Sequence, residues 1–148
     1  MTLENLVDKG LRRESTSQDE VRRLITKASL RLEDAANQSV SRDSRFDPAY
    51  EAILQLAICA LRANGFWPDS KGGHHITALQ SLTKSIDYPR EQVRLIDEFR
   101  RQRAISLYDG SFEPTEQELS ALLEAGTELR LHLLGWLNEN YPELASDL

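Results

Sequence analysis

The apolar residues of this 148-residue chain recur every three to four positions in almost every segment. This spacing is typical of amphipathic α-helices, and no stretch of strand length alternates between apolar and polar residues. A chain of this length buries about 70% of the surface of its unfolded form, enough for one stable domain. The sequence therefore predicts a single all-α domain over residues 1–148, an up-and-down bundle of about five or six helices with its core over residues 17–139.

Turn and capping residues set the expected helix boundaries. A first short helix is expected over residues 2–9, and a second begins after Ser17, which stands three residues before Glu20 in a capping-box pattern. Asp47 as N-cap and Pro48 at the first helical position are expected to open a third, central helix after a loop. The other predicted segments are a loop over 64–73, helices over 74–86 and 90–107, a helix opened by a capping box at 115–118, and an acidic tail over 141–148.

The charge balance is acidic, with 18 Lys and Arg against 24 Asp and Glu and a formal net charge of −6. Non-specific coating of nucleic acid needs an excess of cations to neutralise phosphates, so the composition excludes that class but allows a local basic patch. The single cysteine, Cys59, lies in an apolar run and is predicted to be a core thiol without an intrachain disulfide. Because no signal peptide or 18-residue apolar stretch is present, we expect a cytoplasmic protein without membrane contact.

Positive charge is concentrated over residues 90–103, where five arginines stand against three carboxylates. Arg100, Arg101 and Arg103 lie close together near the expected end of the fifth helix, and Tyr108 follows them. Guanidinium groups with a phenol beside them suit a phosphate, so one interpretation is an anion-binding site. The alternative, which local physics favours, is that these cations stabilise the C-terminal end of the helix dipole by about 0.3–1 kcal/mol each.

A second signal is the glycine pair before His74 and His75 at the start of the fourth predicted helix. Flexible backbone followed by helix N–H groups forms an anion cradle, and imidazoles there would donate to phosphate or transfer protons. The alternative is a loop followed by one buried and one exposed histidine. No pair of Cys or His residues has the spacing of a zinc site, so neither a metal nor another cofactor is expected.

The order of several motifs resembles a known family. The motifs are Asp47-Pro48-Ala49-Tyr50 at the start of an alanine-rich helix, Asn64-Gly65-Phe66 at its end, Gly73-His74-His75, Phe99-Arg100-Arg101-Gln102-Arg103 and Tyr108-Asp109. Over residues 20–138 they resemble the HEPN superfamily, helical domains found in prokaryotic toxin–antitoxin pairs and defence systems.

The resemblance implies a helical bundle that commonly dimerises and, in active members, a metal-independent RNase. Its site is an R-x4–6-H motif in which the arginine holds the scissile phosphate and the histidine handles protons. Arg103 matches the motif arginine, but Tyr108 stands in the place of the histidine and Ala104 replaces the usual polar residue. A tyrosine with its ordinary pKa of about 10 is a poor general base at neutral pH. His74 and His75 would replace the base if antiparallel packing brought them to the second half of the fifth helix.

The leading hypothesis is a HEPN-like homodimer, non-catalytic or weakly catalytic, in a toxin–antitoxin or defence-like module. It would bind RNA, a nucleotide phosphate or a cognate protein partner. The predicted ligand-binding residues are Arg100, Arg101, His74 and His75, and Arg103 with Tyr108 would be catalytic in an active enzyme. Two alternatives stay open: a metal-independent endoribonuclease with a composite site at the dimer interface, and a structural protein-interaction module without a nucleic-acid ligand.

Overall fold

The computed structural model describes residues 2–69, 73–146 and 148, with the side chains of residues 74 and 106–109 outside that description. Most of these residues are helical, which confirms the all-α class. After a 3-10 turn at Leu3–Leu6, the helices are α1 Gln18–Ala36, α2 Arg42–Ala63, α3 His74–Gln80, α4 Leu82–Ile86, α5 Arg90–Asp109, α6 Glu116–Asn140 and α7 Pro142–Ala145. None of the helices in the described part combines the length and the apolarity that a membrane span requires.

Helix α2 is the centre of the core, as its nearly all-round apolar sequence predicted. Thirteen of its 22 residues are buried, and its main neighbours are α1 and α6. Helix α6 packs closely on its neighbours at Gly126, where a Cβ atom would lie 2.7 Å from Leu32 Cδ2 and 3.4 Å from Ile53 Cγ1. An alanine at position 126 would therefore require the end of the Leu32 side chain to move.

The start of α2 differs from the prediction by six residues, because the helix begins at Arg42 and Pro48 lies inside it. The predicted cap at Asp47 was wrong, and the side chain of Ser41 caps the helix instead by accepting a hydrogen bond from the N–H three residues on. Phe46 is 2% exposed, so the extra turns bury a large aromatic side chain. That burial outweighs the one helical hydrogen bond that a proline in the second turn removes.

Two three-residue strands form where the sequence predicted none, one between the first two predicted helices and one in the predicted loop over 64–73. They are β1, Leu11–Arg13, and β2, Phe66–Pro68, which pair antiparallel with Leu11 opposite Pro68. The predicted helix over residues 2–9 is correspondingly only a 3-10 turn. Leu11 and Phe66 are buried, so the small sheet adds its apolar side chains to the core.

A buried arginine fixes this sheet to the helices. Arg62, at the end of α2, is 2% exposed, and its Nε donates to Glu20 Oε1 of α1 at 2.8 Å. Its two other guanidinium nitrogens donate to the backbone carbonyls of Glu14 and Ser15 at 2.7 and 2.8 Å. The guanidinium also lies 5.3 Å from the ring centre of Trp67 in β2. The buried charge is thus paired and hydrogen-bonded, as a low-dielectric environment requires.

The predicted helix caps are confirmed at two positions. Ser17 accepts a hydrogen bond from the backbone N–H of Glu20, and Thr115 with Glu118 forms a complete capping box before α6. The predicted fourth helix is divided at Ser81 into α3 and α4.

The predicted acidic tail contains a short helix that the sequence did not predict. Residues 142–145 form α7, in which Ala145 is buried, and Gln18 Nε2 of α1 donates to the carbonyl of Ser146 at 3.0 Å. Helix α7 therefore packs on α1 and α6.

Candidate anion-binding site

Helix α5 continues to Asp109, so the predicted arginines lie in its interior. Arg103 is six residues from the last helical residue, and no basic residue occurs in the last turn. Stabilisation of the helix dipole falls off within that turn. The interpretation that these cations stabilise the C-terminal end of the dipole was therefore wrong.

Arg100 and Arg101 share one carboxylate. Arg100 Nε donates to Asp97 Oδ1 at 2.8 Å, and Arg101 Nη2 lies 3.0 Å from Asp97 Oδ2. Arg101 also lies 3.9 Å from a carboxylate oxygen of Glu98. The side chain of Asp97 is only 10% exposed, whereas that of Arg101 is 61% exposed. The positive charge of both arginines is thus largely offset within their own helix.

Arg103 connects α5 to α2. Its Nε donates to Asp47 Oδ1 at 2.8 Å, and its guanidinium lies 5.0 Å from the ring centre of Tyr50. Burial raises the pKa of Tyr50, while the positive charges of Arg103 and Arg100 oppose that rise because they stabilise the tyrosinate. Arg103 is therefore engaged with α2, and the side chain of Tyr108, its predicted catalytic partner, lies outside the described residues.

The predicted histidines begin helix α3, which contacts α5. His75 is exposed, whereas the side chain of His74 lies outside the described residues, so their meeting with the arginines stays a prediction. The third histidine has a structural role, since His132 Nε2 lies 2.8 Å from the carbonyl of Ile86 and its ring packs edge-on against Tyr88. In the described part of the chain no group of three or more His, Cys, Asp or Glu residues is placed to hold a metal ion.

The cysteine is a core thiol, as predicted. Cys59 is fully buried, and burial raises its pKa to about 12. At neutral pH it is therefore protonated and is not a nucleophile.

A cleft between α3–α4 and the first half of α5 holds cations that the sequence analysis assigned to no site. Its volume is about 310 Å³, at the lower end of the range for small-ligand sites. It is lined by Gln80, Thr83, Lys84, Arg90, Val93, Arg94 and Asp97. The cleft thus combines positive charge, neutral polar groups and one apolar side chain.

The cations of this cleft lack carboxylate partners. Lys84, Arg90 and Arg94 are exposed, and none of them forms an ion pair with another described residue. Arg90 is moreover the first residue of α5, where the partial positive charge of the helix terminus disfavours a cation. These exposed cations give the cleft a positive potential.

The spacing along α5 contains a signal for this cleft. Positions 90, 93, 94 and 97 follow the i, i+3, i+4, i+7 pattern of one helix face. Lys84 is contributed by α4, and no local pattern predicts its position beside α5.

The arrangement is suited to binding a phosphate rather than to proton transfer. Lysine and arginine side chains bind phosphate oxygens strongly, and the lining residues include no histidine or cysteine. No known family model matches this chain, and neither do the curated proteins or the solved structures with which it was compared.

Proposed function

We propose that this chain is a non-catalytic, HEPN-like helical protein that binds a phosphate-bearing ligand, RNA or a nucleotide, in the cleft between α3–α4 and α5. The observation that carries the proposal is the convergence of Lys84, Arg90 and Arg94 on one cleft without carboxylate partners in the described structure. From the HEPN resemblance we add that the protein acts as a homodimer in a toxin–antitoxin or defence-like module.

The acidic overall charge of the chain restricts anion binding to a local basic site. A net charge of −6 repels a polyanion at long range, so attraction must come from a local group of cations. Three cations around a cleft of about 310 Å³ satisfy that requirement. A few phosphate contacts and a modest dependence of affinity on salt are therefore expected.

The assignment as non-catalytic rests on the residues that RNA cleavage would need. Arg103 is paired with Asp47 and stacked on Tyr50, so it would have to leave both in order to hold a scissile phosphate. Tyr108 occupies the position of the motif histidine. The cleft itself lacks an imidazole among its lining residues.

Binding is tested with a labelled single-stranded RNA of eight nucleotides and mixed sequence, by fluorescence anisotropy at low salt. We expect the Lys84→Ala, Arg90→Ala, Arg94→Ala triple variant to bind at least about 50-fold more weakly than wild type, since three phosphate contacts are lost together. The matched control removes Arg23, Lys27 and Arg42, which are also exposed and have no ion pair among the described residues. It should change affinity less than about threefold. Equal losses in both triple variants would refute the cleft as the binding site.

Enzyme activity and oligomeric state are tested on the same preparations. RNA incubated with the protein in EDTA should stay intact, and cleavage that Arg103→Ala abolishes without lowering the melting temperature would establish the endoribonuclease alternative. Light scattering should give twice the monomer mass of 16.8 kDa. A monomer at micromolar concentration would contradict the proposed homodimer. If no RNA or nucleotide binds, the structural interaction module becomes the better account.

A further inference from the structure

Asp97 is the buried residue among those lining the cleft, and its hydrogen-bonding capacity is only partly used. One carboxylate oxygen accepts from Arg100 at 2.8 Å and the other lies 3.0 Å from Arg101 Nη2. A carboxylate accepts about four hydrogen bonds in total. Asp97 therefore retains acceptor positions for donors on a molecule in the cleft.

The two arginines also change what this carboxylate does to an anion. They hold Asp97 in one orientation and offset its charge, so it acts as an acceptor without strongly repelling a phosphate nearby. Arg100 and Arg101, predicted from the sequence to touch the ligand, are in this arrangement positioning residues for Asp97.

The surrounding charges restrict which donors suit Asp97. An ammonium group would approach Lys84, Arg90 and Arg94 and would be repelled by them. A neutral hydroxyl donates to a carboxylate without that penalty. Arg94 and Asp97 are three residues apart on one helix face, with Cβ atoms separated by about 5–6 Å. A phosphate and a hydroxyl must therefore lie close together on the ligand, as they do in a phosphorylated sugar.

We propose that the cleft binds a ribonucleotide, with its phosphate on Lys84, Arg90 and Arg94 and its ribose hydroxyls donating to Asp97. This inference rests on the proposed function and names its ligand class. Carboxylates recognise ribose hydroxyls in dinucleotide-binding sites, and the 2′-hydroxyl is the group by which proteins distinguish RNA from DNA. The cleft therefore prefers ribonucleotides to deoxyribonucleotides.

The test compares ligands that differ in one hydroxyl, by calorimetry with wild-type protein. The four ribonucleoside 5′-monophosphates and their 2′-deoxy counterparts test the free nucleotide, and RNA and DNA octamers of the same sequence test the strand. In at least one of these two arms we expect the ribose form to bind about tenfold more tightly, and the arm that shows this identifies the source of the ligand. Phosphate-dependent binding with less than a twofold preference for the ribose form in both arms would overturn the role of Asp97 but not the proposed function. If no probe binds, the proposed function fails as well.

Variants separate a specific role of Asp97 from a structural one. Asp97→Asn should reduce the ribose preference to about twofold, while its affinity for inorganic phosphate stays equal to wild type or increases. Arg101→Ala removes an exposed side chain and should lower the preference two- to threefold at an unchanged melting temperature. This second variant keeps the test valid if Asp97→Asn does not fold. A ribose preference unchanged in Arg101→Ala and in any folded Asp97→Asn protein would contradict the inference.

Discussion

The two halves of helix α5 use their arginines in different ways. In the first half, Arg90 and Arg94 line a cleft without an ion pair among the described residues. In the second half, Arg100 and Arg101 pair with Asp97, and Arg103 pairs with Asp47. The denser arginine run is thus the more neutralised one. Positive potential follows the placement of carboxylates and cannot be judged from the density of arginine along the sequence.

Arg62 extends the comparison to a buried cation. Its guanidinium is held by Glu20, by three backbone carbonyls and by the ring of Trp67, with 3% of the side chain exposed. A cation that pairs with carboxylates or carbonyl groups of its own chain contributes to the stability of the fold. A cation without such partners is available to a ligand.

The largest expected effect is at Arg62. Arg62→Ala removes one donor from Glu20 and one from each of three backbone carbonyl groups, so we expect the free energy of unfolding to fall by about 3 kcal/mol. Urea denaturation monitored by circular dichroism measures the loss. The control Arg22→Ala breaks the exposed pair with Asp19 and should cost less than about 1 kcal/mol. Similarly small losses of unfolding free energy in both variants would show that the contacts of Arg62 do not stabilise the fold.

A matched pair within α5 gives the next largest effect. Arg94→Ala and Arg101→Ala each remove one positive charge from an exposed position of the same helix. We expect Arg94→Ala to weaken DNA-octamer binding about fivefold, since it removes a phosphate contact. At Arg101 the charge is already offset by Asp97 and Glu98, so its loss should weaken DNA-octamer binding, which lacks the ribose contribution, by less than twofold. A larger loss of affinity in Arg101→Ala than in Arg94→Ala would contradict the proposed difference between the two halves of α5.

The smallest expected effect is at Arg103. Arg103→Ala removes an exposed ion pair and a cation–π contact, so the free energy of unfolding should fall by about 1 kcal/mol or less. The same change removes a positive charge that stabilises the tyrosinate, so the pKa of Tyr50 should rise further above its ordinary value. Alkaline absorbance titration measures this rise, with Arg31→Ala, which breaks a pair with Glu51, as the control. A lower pKa of Tyr50 in the Arg103→Ala protein would contradict the described geometry.

The helix caps could be predicted because their signals are local. Ser17 and Thr115 each lie three residues from the group they bond, so sequence spacing alone identifies them. The start of α2 depends instead on Phe46, whose ring packs 5.8 Å from that of Phe99 and 4.8 Å from that of Phe112. Contacts between residues so far apart leave no periodic signal. The strands are likewise too short to show alternation, and their pairing is a tertiary event.

The contacts of the candidate site could likewise be predicted from the sequence only where they are local. The pairing of Arg100 and Arg101 with Asp97 follows i, i+3 and i, i+4 spacing and is visible in the sequence. The pair between Arg103 and Asp47 spans 56 positions and is not visible there. Lys84 reaches the cleft through the packing of α3–α4 on α5, which likewise requires the folded structure.

The central claim is that the cations that bind a phosphate lie in the cleft at the first half of α5. The most direct measurement is the slope of log affinity against log salt concentration for the RNA octamer. With three phosphates neutralised on a single strand, wild type should give a slope of about −2, and the Lys84, Arg90, Arg94 triple alanine variant a slope near zero. A slope in the triple variant equal to that of wild type would contradict the account.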